Sequence, residues 1–247
     1  MIKILSIGNS FSQDAQRYLH RISVAAETPI KSVNLYIGGC TLRTHYFNML
    51  ENAQKYQFEF NGENTGIFVT IKEALMSDAW GFVTLQQASL DSAHWETYEP
   101  YLSELAAYVR RYAPQAKLLI HQTWAYDAQN HERLEKAGFS DPKEMYNAVR
   151  TTYKKAADQI GASGIIPTGY GVSLAIQNGL SCPYRDGFHL SIGGGRYLAA
   201  LLWFCYLTGK SPNSVPCPAL DKTISDEELR IIKKTVETVT KNSTSTV

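Results

Sequence analysis

The chain has 247 residues, 44% of them hydrophobic and 19% charged, which is ordinary composition for a globular α/β protein rather than a fibrous or low-complexity chain. Lys plus Arg total 24 against 23 for Asp plus Glu, a net charge of +1; without a basic excess or a Lys/Arg block, nucleic acid is not an expected partner. No apolar stretch approaches the roughly 20 residues that cross a bilayer, and residues 1–8 are too short and too soon polar for a signal-peptide core, so a soluble, cytoplasmic protein with no membrane partner is expected unless a leader was removed before numbering.

Five short apolar runs, over residues 2–7, 32–37, 81–85, 117–121 and 164–166, are nearly continuous in apolar side chains, as strands buried on both faces are. Helical patterns over 13–27, 66–76, 98–112 and 142–160 alternate with them. In the third, Leu102, Leu105, Ala106 and Val109 recur at helical spacing; in the fourth, Asp141-Pro142 places a capping side chain before a proline at the first helical position. Strand and helix in alternation imply a parallel five-stranded sheet with helices on both faces, a three-layer α/β/α sandwich. Residues 42–63 break the rhythm as a polar, aromatic excursion near the ligand face, with room for a small hairpin. Residues 191–207 and 226–240 read as the last helices, and 241–247 as a frayed tail. With no repeat or linker, 1–247 is expected to be one domain. Cys40, Cys182, Cys205 and Cys217 show no metal-ligand spacing, and two or three of them are expected to be buried free thiols.

Ligands bind beyond the carboxyl ends of strands in such sheets, so polar residues placed there carry most weight. Gly8-Asn9-Ser10 follows the first strand and opens a helix, whose free N–H groups favour developing negative charge. A serine there is by itself more often a cap than a nucleophile. It needs a base, and the base an orienting partner. Asp186-Gly187-Phe188-His189, in a loop before a helix, can supply both, because the i,i+3 spacing lets the carboxylate reach the imidazole that follows it.

These blocks together resemble the SGNH (GDSL-like) hydrolase superfamily, in a branch catalogued as a domain of unknown function. Gly8-Asn9-Ser10 matches its first block, Gly38-Gly39 its second, and Asp186 with His189 its last, in order over almost the whole chain. The resemblance implies a flavodoxin-like sheet and a serine esterase with Ser10 as nucleophile, His189 as general base and Asp186 as its orienter. The Ser10 and Gly39 N–H groups would line the oxyanion hole. The usual Gly-x-Asn-Asp block is replaced by Leu85-Gln86-Gln87-Ala88-Ser89, which leaves Gln86 or Gln87 to supply the missing amide donor, Gln86 being favoured; the alternative is that both only bind neighbouring loops. By family analogy the substrate is an acyl, above all acetyl, ester of a carbohydrate or small molecule. The rivals are a thioesterase or lipase-like hydrolase, and a catalytically silent carbohydrate- or nucleotide-binding module.

His45 could line the substrate pocket or serve structure, and Trp124 could stack on a sugar or simply pack. His20, His94 and His131 lack metal-ligand spacing, and neither metal nor cofactor is expected. Asp91, Glu96 and Glu99 read as a solvated face. A Gly-x-Ser-x-Gly elbow is absent, since Ser12 stands where its final glycine would be. Gly209-Lys210-Ser211 lacks the upstream glycine of a phosphate loop.

Overall fold

The structure, a computed structural model, describes residues 1–244. Its core is a seven-stranded sheet in the order β4-β3-β2-β1-β5-β6-β7. Strands β1 (Ile2–Gly8), β2 (Ile30–Tyr36), β5 (Phe82–Leu85), β6 (Lys117–His121) and β7 (Gly164–Ile166) form the parallel part. These are the five apolar runs read from the sequence. Ile4, Leu5, Val33, Leu35, Val83 and Leu119 in these strands are all within 2% of full burial, as expected where both sheet faces are covered.

The remaining strands come from the irregular segment. β3 (Tyr56–Phe60) pairs antiparallel with β2, and β4 (Glu63–Val69) antiparallel with β3. Asn61 and Gly62 join them with φ of 53° and 84°, the two positive φ angles of the turn whose twist suits a tight hairpin. A side chain at position 62 would also meet the Arg17 carbonyl oxygen at 2.4 Å, so only glycine fits. The sheet is therefore a five-stranded parallel core extended by an antiparallel hairpin. The helix expected over 66–76 is correspondingly shorter. Its first four residues belong to β4, and α4 spans Ile71–Met76, opened by a reciprocal cap between Thr70 and Glu73.

The helix expected over 13–27 is two, α1 (Ser10–Gln16) and α2 (Leu19–Ala25). The excursion after β2 contains α3 (Leu42–Leu50). The others are α5 (Tyr101–Tyr112), α6 (His131–Lys136), α7 (Pro142–Ile160), α8 (Thr168–Gln177), α9 (Gly194–Thr208) and α10 (Asp226–Thr244). Helices α1, α2, α8, α9 and α10 pack into one layer; α3, α4, α5 and α7 pack into the other. On α5 the predicted stripe Leu102, Leu105, Ala106 and Val109 is buried, and Asp141 Oδ1 caps α7 by accepting from Lys143 N at 2.7 Å. Helix α10 continues through Thr244 into the segment expected to be a frayed tail; residues 245–247 of that segment lie outside the described residues. All four cysteines are unpaired, with Cys40 and Cys205 buried. Among the described residues, no helix is long and apolar enough to cross a membrane.

Candidate active site

The turn from β1 into α1 is built around Asn9. Its side-chain oxygen accepts from Phe11 N at 3.0 Å, while Ser12 Oγ accepts from Asn9 N at 3.1 Å, a reciprocal cap that fixes how the chain enters the helix. A Cβ on Gly8 would lie 2.2 Å from Ser12 Oγ, so this close approach requires glycine. Ser10 is thus the first residue of α1, where its own N–H has no acceptor within the helix. Asn9 Nδ2 also donates to the Cys40 carbonyl at 3.1 Å. That bond ties the serine turn to a second turn, closed by Cys40 N on the Ile37 carbonyl at 3.2 Å. Gly39 there has φ +63°, with open space where a Cβ would stand, so a backbone amide can approach a ligand closely.

The third piece arrives from the far end of the sequence. His189 Nε2 lies 2.8 Å from Ser10 Oγ, and His189 Nδ1 lies 2.7 Å from Asp186 Oδ2. The carboxylate requires a proton on Nδ1, so Nε2 is the acceptor for the serine hydroxyl. Asp186 Oδ1 accepts from the backbone N–H groups of Phe188 and His189 at 3.2 and 2.8 Å. Burial acts to raise the Asp186 carboxyl, but the hydrogen bonds from the His189 ring, its backbone and Phe188 prevail and hold it below the ordinary carboxylate range. It is therefore an anion wherever the imidazole needs one.

Asp14, one helical turn beyond Ser10, holds this loop in place. Fully buried, it accepts from Arg185 Nη1 at 2.9 and 3.0 Å, from Arg196 Nε at 2.8 Å and from Leu190 N at 2.9 Å. Arg185 N in turn donates to the His189 carbonyl at 3.0 Å. From the other side, Asp127 N donates to the Gly187 carbonyl at 2.8 Å, and Asn130 Nδ2 to the Asp186 carbonyl at 3.3 Å. One helix thus carries both Ser10 and the carboxylate that anchors its partner loop.

Ser10 and His189 open onto a cleft of about 250 Å³, whose wall includes Gly39, Ala88, Ser89, Arg133 and Phe188. That is near the lower limit of ligand pockets, which begin at roughly 300 Å³; it suits a short acyl group.

Four residues expected at this cleft lie behind it. Gln86 is 2% exposed and donates from Nε2 to Asn9 Oδ1 at 2.7 Å, while its Oε1 accepts from His121 Nδ1 at 2.6 Å. Gln87 is 1% exposed; its Nε2 donates to the Thr97 carbonyl and hydroxyl, and its Oε1 accepts from Leu42 N and Ala88 N. Their amide donors are committed to the scaffold rather than presented to a ligand. His45 is fully buried, paired with the Tyr56 hydroxyl at 2.9 Å and stacked on that ring. Trp124 is fully buried too: it stacks on Phe11 at 4.2 Å and donates from Nε1 to the Phe188 carbonyl at 2.7 Å. It supports the cleft floor and cannot stack on a sugar. From the divergent block, the residues on the cleft wall are Ala88 and Ser89, followed by Leu90. Ser89 Oγ accepts from the Tyr126 hydroxyl at 2.8 Å, which leaves the Ser89 proton available to a ligand.

Residues 3–237 match the family model described as a domain of unknown function, DUF4886. The chain belongs to this family. A DUF4886 family protein from Bacteroides uniformis is 33% identical over 96% of this chain and 94% of its own, with a TM-score of 0.88. A protein of Slackia heliotrinireducens, provisionally named an SGNH hydrolase, is 23% identical over 82% of this chain and 97% of its own, with a TM-score of 0.58. The family 3 carbohydrate esterase of Clostridium thermocellum is 16% identical over 84% of this chain and 96% of its own, with a TM-score of 0.53. No protein of curated function matches the chain. The chain has the fold of the SGNH hydrolases, and solved structures that share it include a lipase/acylhydrolase and a carbohydrate esterase.

Proposed function

We propose that this DUF4886 protein is a serine esterase that removes short acyl groups, acetyl above all, from a carbohydrate or other small alcohol. The observation that carries the reading is the hydrogen-bonded series Ser10–His189–Asp186, with links of 2.8 and 2.7 Å, open to a small cleft. A hydroxyl, a correctly tautomerised imidazole and an ionised carboxylate in line are what acyl transfer requires.

Ser10 Oγ attacks the acyl carbonyl carbon while His189 Nε2 takes the hydroxyl proton. Asp186 holds the imidazole by Nδ1–H and stabilises its positive charge. Negative charge develops on the carbonyl oxygen, which the N–H groups of Ser10 and Gly39 receive, with the Ser89 hydroxyl as the side-chain donor. The tetrahedral species collapses as His189 returns the proton to the leaving alkoxide; the alcohol departs and the acyl group stays on Ser10. A water then attacks the acyl-enzyme, His189 again acting as base, and the carboxylic acid leaves with Ser10 regenerated. The small cleft supports a short acyl group, and the fold shared with a carbohydrate esterase supports an acetylated sugar.

The test combines a fluorophosphonate label with 4-nitrophenyl acetate. Mass spectrometry should place the label on Ser10, and Ser10→Ala should lower kcat by about 10³-fold or more with the fold intact. Label on another residue, or turnover that survives Ser10→Ala, would overturn the reading.

A further inference from the structure

Arg133 lies on α6 and lines the same cleft as Ser10 and His189. Its guanidinium carbon sits 3.5 Å from the centroid of the Phe188 ring, and that ring packs against His189 with centroids 3.9 Å apart. Tyr126 stands on another side, its ring centroid 5.3 Å from the same carbon and its hydroxyl interacting with Arg133. Contact with aromatic faces holds a guanidinium in place while using few of its N–H groups; those not turned to the Tyr126 hydroxyl remain suited to a planar oxyanion.

The charge is uncompensated. Arg17, Arg21, Arg185, Arg196 and Arg230 each meet a carboxylate. Among the described residues Arg133 has no such ion pair, its Nε is buried without an acceptor, and no Asp or Glu lines the cleft. A buried donor without a partner calls for a ligand or another account. The cation is also fixed relative to the reacting groups. Asn130 accepts from Arg133 N at 3.3 Å at the start of α6 and donates to the Asp186 carbonyl at 3.3 Å. Arg133 and the Asp186–His189 loop therefore keep one spacing.

We propose that Arg133 selects ester substrates carrying a carboxylate close to the scissile ester, a specificity role that rests on the serine-esterase reading. A neutral acetylated sugar would leave the guanidinium unmatched; an acidic sugar ester or a dicarboxylic half-ester would match it.

The test compares matched esters on wild type and Arg133→Gln. With the charge on the alcohol side the pair is 4-acetoxybenzoate and its methyl ester. With the charge on the acyl side it is mono-4-nitrophenyl succinate and 4-nitrophenyl pentanoate. In at least one pair, the ratio of kcat/KM for anionic over neutral ester should fall about tenfold in Arg133→Gln, with partial recovery in Arg133→Lys, which keeps the charge but loses the planar fork. The pair that responds locates the charge. Ratios within twofold of wild type in both pairs overturn the proposal, even where neutral esters turn over and the esterase reading stands. If no ester turns over, the esterase reading falls instead, and calorimetry with the stable amides 4-acetamidobenzoate and succinanilic acid decides. About tenfold weaker binding of either to Arg133→Gln than to wild type supports the role; equal or undetectable binding overturns it.

Discussion

Gln86 Nε2 donates to Asn9 Oδ1 over 2.7 Å, beneath the floor of the cleft. Asn9 is the residue that caps the helix beginning at Ser10 and reaches across to Cys40 beside Gly39. One buried amide therefore braces both turns that present backbone N–H groups to the cleft, and His121 fixes that amide from behind at 2.6 Å. Gln86 thus supports the turns that line the cleft without itself reaching it.

A positioning role has a distinct kinetic signature. Gln86→Leu should lower kcat by about tenfold and leave KM within twofold, measured well below the variant's Tm, because slightly displaced donors lose only part of what a deleted donor loses. Ser89→Ala, if it removes a donor outright, should cost about 10²-fold in kcat. Gln86→Leu with wild-type kcat would mean that Asn9 holds its place unaided, and the reverse ranking of the two variants would return the oxyanion role to the glutamine.

Asp186→Asn tests the carboxylate's two tasks. The amide can still accept from the backbone N–H groups of Phe188 and His189, but it no longer stabilises the protonated imidazole and can favour the wrong tautomer. We expect kcat to fall by about 10³- to 10⁴-fold with Tm little changed, and His189→Ala to be at least as damaging. Asp186 is partly exposed, with 41% of its side chain accessible, so the substitution should not disturb the core. Activity within tenfold of wild type would remove Asp186 from the mechanism.

Much of this arrangement was legible in the chain because it is local or strongly patterned. The five parallel strands appear as apolar runs, and the Asp-x-x-His loop carries its own geometry: three residues apart, carboxylate and imidazole meet directly. What escaped depends on contacts between distant segments. Asn61-Gly62 between Phe60 and Glu63 is a hairpin signal, but β4 is a solvent-exposed edge strand and lacks the apolar run that marked the others, so its last four residues were absorbed into a helix. Trp124 and His45 follow the ends of elements on the ligand side, as substrate residues do; they lie one layer too deep, because Phe11 covers the first and Tyr56 holds the second. Arg133 gave no signal, since nothing in a His-Glu-Arg-Leu-Glu-Lys helix shows that the arginine lacks the acid its neighbours have.

Asp14 offers a test of how firmly the far loop is held. It is fully buried and accepts from two arginines and a backbone N–H. Asp14→Ala would leave Arg185 and Arg196 without their anion and the Leu190 N–H without an acceptor. Breaking a buried pair by deleting one partner costs 3–5 kcal/mol. The arginine side chains keep 28% and 15% exposure, so about 3 kcal/mol is expected, a fall in Tm of about 10 °C for a chain of this size. Because the released loop carries His189, kcat should drop as well, at temperatures where the variant is still folded. A shift below about 2 °C would show that Asp127 and Asn130 hold the loop alone.

The two fully buried imidazoles make stability fall with acid in a predictable window. Burial pushes His45 and His121 down to about 3 from an ordinary 6.5. Each donates or accepts through Nδ1, while its Nε2 is buried without a partner, so neither can take a second proton without exposing a charge to the core. Between about pH 3 and 6.5 the unfolded chain therefore binds protons that the folded chain does not, and stability is lost as pH falls through that range. At pH 5 each histidine should cost about 2 kcal/mol relative to pH 7.5. Glu59 works in the opposite direction, since burial raises its carboxyl, so the comparison must be between proteins rather than within one. Urea unfolding at pH 7.5 and 5 should show that His45→Gln and His121→Gln each lose about 2 kcal/mol less than wild type over the interval, whatever their stability at neutral pH. Equal losses in wild type and variants would mean that the folded protein takes up these protons, and that water reaches the imidazoles beneath the cleft.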